Sequence, residues 1–429
     1  MAATSCQGQP DCTLAVCWAV LQRGLLVRLQ SALWSLAFGN FVIGSGALAF
    51  IGMLDSVATD LRVTPAAAGQ IAGLFSLGIC LSGPILGALT SRYERRFVLA
   101  ASLGLFAVGH VAAAFAPDYW SLLAVRVLTS FAGTLFTPQA AATTSLLVPM
   151  ELRARTMAFV FLGWSLAAVI GLPAGAWIGS QFGWRAAMWM LAGLSAVGTL
   201  LVLWRVPSGL FVTRIDSAAW LTLARHPVLL RVVSVTAIHA SAQFTLFSYL
   251  VVAYRDALEA SPNMIAILLG ITGFAGFAGN VFAGRLADRI GPPAVIFGAI
   301  VLMLAAFGVW LALYAAGPGV IGISLAVIAA LLWGSGNFSA NSMQQVRLVN
   351  LAPPLSSVSV ALNTSAIYLG QFIGAGAGGL VLTHAVTAPA SRALPWIGLP
   401  IFVVALWVSA SAQRRADRLA LETEAAEAA

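Results

Sequence analysis

Twelve separate stretches of this chain stay apolar over the length of a membrane crossing, and that repetition constrains the fold more than any single motif. A helix rises 1.5 Å per residue, so about 20 apolar residues cross a hydrocarbon core. The stretches lie near 32–54, 66–89, 97–116, 119–148, 157–180, 185–204, 231–253, 262–283, 294–316, 320–346, 357–384 and 395–412. Of the 429 residues, 60% are hydrophobic and 8% are charged, whereas soluble domains are roughly 45–50% apolar. The sequence therefore predicts an all-α, multi-pass membrane protein with twelve transmembrane helices and the lipid bilayer as its surroundings.

The net charge of +8 comes from 22 basic residues, all arginine. In a soluble protein such a balance suggests a nucleic-acid partner. Here the arginines fall in short gaps between apolar runs, so they carry topology and no nucleic acid is expected. With the N-terminus in the cytoplasm, seventeen arginines lie on or near that side; Arg62, Arg185, Arg255 and Arg392 fall outside, and Arg126 lies within a helix. The positive-inside rule then places both termini in the cytoplasm. Asp11 and three cysteines interrupt the first 30 residues, which read as a cytoplasmic lead-in and not as a signal peptide. Cys6, Cys12 and Cys17 are too widely spaced for tight zinc pairs and Cys80 stands alone in a helix, so no metal, cofactor or disulfide framework is expected. The absence of lysine hints at a GC-rich bacterial genome, hence a bacterial inner membrane.

The longest polar interval, RVPSGLFVTRIDSAAWLTLARHPVLLR from 205 to 231, follows six runs and precedes six more. The expected organisation is a lead-in at 1–30, a six-helix bundle at 31–204, a cytoplasmic linker at 205–230, a second bundle at 231–412 and a cytoplasmic tail at 413–429. Each half carries a Gly-x-x-x-(Asp/Ser)-Arg frame at the inner end of its second helix, beginning at Gly87 and Gly284, as a duplicated unit would produce. Gly163, Ala167, Gly171, Gly175 and Gly179 recur every fourth residue of helix five, and Gly370, Gly374 and Gly378 form a related stripe in helix eleven. Helix eight has Gly273, Gly276 and Gly279 at every third position. Such stripes admit close helix packing; ordinary packing accounts for any one glycine, and their equivalent places suggest a shared sliding or rocking interface.

Four stretches carry a resemblance: GALTSRYERR at 87–96, GRLADRIG at 284–291, LLAVRVLTS around Arg126, and GLPAGAWIGSQFGWR at 171–185. Over roughly residues 35 to 412 the chain resembles the major facilitator superfamily, in particular its twelve-helix drug and metabolite exporters of the arabinose-efflux and purine-efflux type. The resemblance implies two pseudo-symmetric six-helix bundles, a monomer, and a central cavity lined by helices one, four, seven and ten. It also implies a cytoplasmic gate built from Gly87, Arg92, Arg95, Arg96, Gly284, Asp288, Arg289 and Gly291. Asp288 would reach the start of helix five, where Arg153 and Arg155 add charge, and the packing motif of helix five would comprise Gly163, Gly171, Pro173 and Gly175. The chain departs from the family pattern at three places. Ser91 replaces the loop aspartate, Glu94 replaces the loop glycine, and Ala47 stands where relatives often have a helix-one acid.

Arg126 lies about seven residues inside helix four, roughly 10 Å from its outer end, where a charge is costly and faces a partner or a cavity. Asp55 is the acid nearest in depth, so an Asp55–Arg126 pair released by protonation or by substrate is expected in one conformation, with a fixed brace as the alternative. The polar residues of the lining helices include Asn40, Ser45, Arg126, Thr129, Thr134, His239, Gln243, Asn337, Asn341 and Gln344. They are candidate substrate contacts, the alternative for each being a helix-to-helix hydrogen bond. Asp55, Arg126 and His239 are candidates for proton coupling, His239 because it titrates near neutrality. His110 and His384 read as structural, and Phe247, Tyr249, Trp333 and Tyr368 could stack on a flat ring.

The expected function is export of a small neutral or anionic solute (a sugar, purine, nucleoside or drug) by alternating access, coupled to protons as an antiporter. A uniporter or importer of the same fold is the alternative within transport. A membrane enzyme fares poorly, since no nucleophile elbow, His-Glu-x-x-His or phosphate-binding Gly-x-x-x-x-Gly-Lys appears.

Overall fold

The computed structural model describes residues 10–428 except 91, 212–220, 224 and 386–388. Twelve of its helices are long and apolar enough to cross a membrane. They are α1 (Pro10–Gly52), α2 (Pro65–Leu89), α3 (Arg95–Ala114), α4 (Tyr119–Leu147), α5 (Met150–Leu166, then a π turn at Ala167–Gly171, then Leu172–Phe182) and α6 (Trp184–Arg205). The second six are α7 (Pro227–Phe247), α8 (Pro262–Ile290), α9 (Pro292–Ala316), α10 (Val320–Leu351), α11 (Ser356–His384) and α12 (Leu394–Ala428). No strand occurs among the described residues. The end of the molecule where α1 enters its span is called here the terminal face, and the opposite end the far face.

Local chemistry sets the helix ends. Asp118 caps α4 by accepting from Ser121 N at 2.9 Å, and the Ser121 hydroxyl answers the Asp118 amide, a reciprocal capping box. Gly291 turns the chain from α8 into α9 at φ +81°, a conformation that only glycine adopts without strain. Within α5, Pro173 stands two residues past the π turn; its missing amide hydrogen leaves the regular ladder one donor short, and the wider turn accommodates the loss. The odd-numbered helices that open the two halves break alike near the far face. After α1 the chain bends at Met53 into a short helix, Leu54–Asp60, and after α7 it turns at Ser248 and Tyr249 into Leu250–Leu258.

The glycine stripes explain how each half is built. Cβ atoms added at Gly163, Gly171, Gly175 and Gly179 would strike α1 at Ala37 to Phe41, Ser45, Ala49 and Met53 in turn. The stripe of α11 does the same to α7, with Gly370 against Ala237 and Ala240, Gly374 against Ser241 and Phe244, and Gly378 against Thr245 and Tyr249. Both stripes therefore fasten a helix to its own half and do not form a sliding surface between halves. They seat their helices equivalently, α5 on α1 and α11 on α7.

Contact between halves runs through other helices, α2 with α11 and α5 with α8. Gly273 of α8 lies against the Ala168 carbonyl in the π turn of α5, whereas Gly276 and Gly279 face Phe338 and Ser335 of α10 within their own half. One continuous apolar cluster joins the two halves toward the far face, including Phe50, Leu54 and Trp184 from the first and Phe247, Tyr249 and Tyr254 from the second. Toward the terminal face the core divides. One cluster belongs to the N-terminal half, with Tyr368 of α11 touching it, and a separate one belongs to the C-terminal half.

Candidate functional site

Charged groups concentrate where the halves join on the far face. Arg255 donates to Asp55 at 2.6 Å and lies 4.0 Å from Asp256, and the Ser391 hydroxyl donates to Asp256 at 2.6 Å. Asp55 thus links the two halves. Burial holds its carboxyl above the usual range; Arg255 pulls against that shift and Asp256 adds to it. Beside it, Tyr249 is fully buried at the α7 turn, its ring against Gly69 of α2, and its hydroxyl donates to the Ala375 carbonyl at 2.7 Å. The anticipated Asp55–Arg126 pair is not formed in this conformation. Because α1 ends at Gly52 and bends at Met53, Asp55 sits on a separate short helix at the mouth, where Arg255 engages it. Tyr249, one of the aromatics that could stack on a flat ring, packs in this conformation between α2 and α11.

The short helix after α1 is held within its own half. Asp60 accepts from Trp184 Nε1 at 3.0 Å and from Arg185, while Ser56 Oγ accepts from Trp184 N at 3.2 Å. These hydrogen bonds lower the Asp60 carboxyl below its usual range, with Arg185 the larger cause. The closing Gly-Trp-Arg of the 171–185 motif therefore clamps the extension that carries Asp55.

At the terminal face the two loop motifs stand apart. A Cβ at Gly87 or Gly284 would meet open space. Asp288 and Arg289 are exposed, as is Arg153, and Asp288 forms no ion pair among the described residues. Ser91 lies outside the described residues, as does the side chain of Arg155. Arg92 is exposed, its guanidinium 5.2 Å from the centre of the Tyr93 ring, and Arg96 is half-buried. Arg95 departs from the gate expectation. It is buried and donates to Gln139 of α4, its amide donates to the Leu210 carbonyl at 2.9 Å, and Glu94 accepts from the Gly209 amide at 2.8 Å. The second half of that motif thus ties the α2–α3 loop to the chain leaving α6, because α3 starts at Arg95 and turns the side chain under the bundle.

Several expected cavity residues are hydrogen-bonded inside one half. Asn40 donates to the Val160 carbonyl at 3.1 Å and accepts from Thr137 at 2.8 Å, while Trp164 Nε1 reaches Thr137 at 3.2 Å, so α1, α4 and α5 are braced together. Thr129 bonds back to the Val125 carbonyl at 2.6 Å, and Thr134 to the Ser130 carbonyl at 2.8 Å, with Ser82 of α2 at 3.0 Å. Gln344 donates to the Val232 carbonyl at 2.8 Å and to Thr236 at 3.0 Å, and Thr236 donates to Asn363 at 2.6 Å. In this conformation Asn40, Thr134 and Gln344 are bracing residues, closed off from solvent. Asn337 and Asn341 pair at 2.9 Å on a half-buried face of α10.

Ser45, His239 and Gln243 are fully buried with side-chain atoms that meet no partner. Phe247 stacks on Trp333 at 4.2 Å. His110 Nδ1 bonds the Phe106 carbonyl at 2.7 Å, and His384 is exposed at the end of α11. Arg126 is 1% exposed and donates to the Gly46 carbonyl at 3.2 Å, its guanidinium 4.2 Å from the Phe75 ring centre and 5.0 Å from that of Phe50. Sequence reasoning missed Arg255, Gly69, Thr236 and Asn363. Only Gly69, four residues before Gly73 in helix two, carried a signal; Arg255 lies beyond the apolar run because the α7 turn hides the second segment.

Residues 36–375 match the family model described as Major Facilitator Superfamily. The chain is 29% identical over 357 residues to the inner membrane transport protein YdhP of Escherichia coli strain K12, covering 83% of this chain and 90% of that one. It is 27% identical over 350 residues to a probable sugar efflux transporter of Mannheimia succiniciproducens, covering 81% and 86%. Among solved structures, a variant of the nucleoside transporter NupG superposes with a TM-score of 0.74 at 15% identity, over 90% of this chain and 99% of that one.

Proposed function

Because the chain belongs to the major facilitator superfamily, with residues 36–375 inside the matched region, and is a multi-pass membrane transporter, we propose that it exports a small neutral or anionic solute by proton antiport. Its place is the bacterial inner membrane, as one copy with both termini in the cytoplasm; YdhP carries inner-membrane transport in its name. The terminal face is then cytoplasmic and the far face periplasmic.

The observation that carries this reading is the asymmetry between the two mouths. Asp55–Arg255 and Tyr249 against Gly69 join the halves at the far end, while Gly87, Gly284 and Asp288 at the other end face open space or solvent. This asymmetry supports an inward-open state in alternating access, in which two matched halves rock about a central site. The loop motifs, led by Asp288, Arg289 and Gly291, form the cytoplasmic latch of the opposite state. Asp55 is the coupling acid: it lies between the halves at the periplasmic mouth, and it is a carboxyl whose protonation differs between buried and exposed states. His239, Gln243, Asn337 and Asn341 supply polar groups for the solute from the C-terminal half.

One feature favours a second reading, a carrier of the same fold without proton coupling: Ala47 occupies the place of the helix-one acid, and Arg126 forms no ion pair among the described residues. Everted membrane vesicles loaded through candidate sugars, purine analogues and chloramphenicol-like compounds distinguish the two. A solute that accumulates on energisation and is lost on adding a protonophore supports antiport. Saturable counterflow that ignores the protonophore supports the uncoupled carrier, and linear, unsaturable flux removes both.

A further inference from the structure

We propose that Arg126 is the docking point for a carboxylate on the transported solute, so that the cargo is an organic anion. This assignment rests on the transporter reading above and narrows it. Its basis is a cation for which the described residues supply no counter-charge. Arg126 is 1% exposed, and of its three guanidinium nitrogens only Nη2 has a partner, the Gly46 carbonyl at 3.2 Å, leaving Nε and Nη1 unpaired. Its two nearest rings, Phe75 and Phe50, attract the cation through their faces but accept no hydrogen bond in its plane. His110, which approaches Gly46 from α3, spends Nδ1 on the Phe106 carbonyl and brings no negative charge.

The acids are elsewhere. Of the 14 in the sequence, none falls inside the apolar body of any span; Asp11 of α1 precedes its membrane-crossing part, which starts at Leu29. Asp55, Asp60, Asp118, Asp256 and Glu259 gather at the far face, where Arg255 and Arg185 already occupy Asp55 and Asp60. Glu94, Glu151, Asp288 and Asp417 lie at the terminal face.

A buried charge that only braced two helices would have its partner built in; one left unpaired beside a mobile seam is completed by something that arrives. Phe75 belongs to the apolar cluster against which Tyr368 of α11 packs, so the arginine's ring partner shares a core with a residue of the other half. Separation of α2 from α11 uncovers it. The unpaired donors suit a planar oxyanion, the Phe50 and Phe75 rings suit an apolar body next to the carboxylate, and a cationic solute is repelled.

The test measures thermal unfolding of the full chain in lipid nanodiscs against sodium benzoate and sodium acetate, each beside its neutral amide, with sodium chloride at matched concentration. The expected result is stabilisation by both carboxylates that exceeds that of benzamide, acetamide and chloride. In Arg126→Gln the half-saturating concentration rises about tenfold or more, and Arg126→Lys keeps part of the response. Amides that match their acids, or chloride that matches the carboxylates, overturn the proposal in the unmodified chain, whether or not the variants fold. An Arg126→Gln protein that keeps the full response also overturns it. The readout is binding, so a chain that exports a solute yet ignores carboxylates loses only this assignment, whereas loss of saturable flux in vesicles strikes the transporter reading itself.

Discussion

Under the proposed antiport, Asp55 would couple protonation to shape. Its carboxyl is raised in this far-closed conformation because burial outweighs the pull of Arg255, with Asp256 adding to the rise. A raised carboxyl means that the closed state binds more protons than an open state in which Asp55 is hydrated. Closure is therefore fully supported below the usual carboxylate range and weakens as pH rises through the raised value. Gln70 lies in the α2–α11 seam beside Gly379, so Gln70→Cys, with the other cysteines replaced, reports opening through labelling by an impermeant maleimide from the far side. Labelling is expected to speed up as pH rises across that window. Asp55→Asn, permanently neutral, is expected to label slowly and without pH dependence; an unchanged pH profile in that variant removes Asp55 from the coupling role. Asp60, lowered by Arg185 and Trp184, behaves oppositely: its stabilisation is present above the usual carboxylate range and is lost as pH falls through the lowered value.

Among the elements, the twelve spans were legible because run length in lipid leaves few alternatives: backbone groups unsatisfied by a helix have no water to turn to. The stripes of α5 and α11 were legible as close packing, but their partners were not, since a glycine face says how near a neighbour comes and not which helix it is. The breaks after Gly52 and Phe247 lie inside runs that stay apolar across the turn, so the sequence pairs Asp55 with Arg126 by depth and places Arg255 beyond the apolar run. Knowledge of the partners separates two kinds of glycine. Gly370→Ile drives a side chain into the Ala237 carbonyl of its own half, so it is expected to cost about 1–3 kcal/mol of stability, read as a lower melting temperature with transport falling in proportion to folded protein. Gly69→Val meets the Tyr249 ring across the seam. It is expected to leave the melting temperature nearly unchanged while lowering the transport rate about tenfold, and Tyr249→Ala added to it should restore part of that rate. Equal thermal losses in the two variants would contradict the division of roles.

For the whole molecule, an alternating-access carrier requires that its mouths not open independently. The far face is spanned by an ion pair and closed by a tyrosine and a shared apolar cluster, and the terminal face has two cores where the far face has one. If each half moves as a body, as the seating of α5 on α1 and α11 on α7 favours, then a wedge at one mouth is felt at the other. Gly87 and Gly284 are suited to report this, because a side chain there meets nothing within 4 Å in the present state. Gly87→Cys and Gly284→Cys are expected to alkylate quickly in the unmodified background. Gly69→Val, by holding α2 off Tyr249, should slow that alkylation several-fold as the terminal face closes. Equal rates with and without the wedge would mean that the halves bend locally and do not rock, and the ion pair at Asp55 would then guard one mouth without controlling the other.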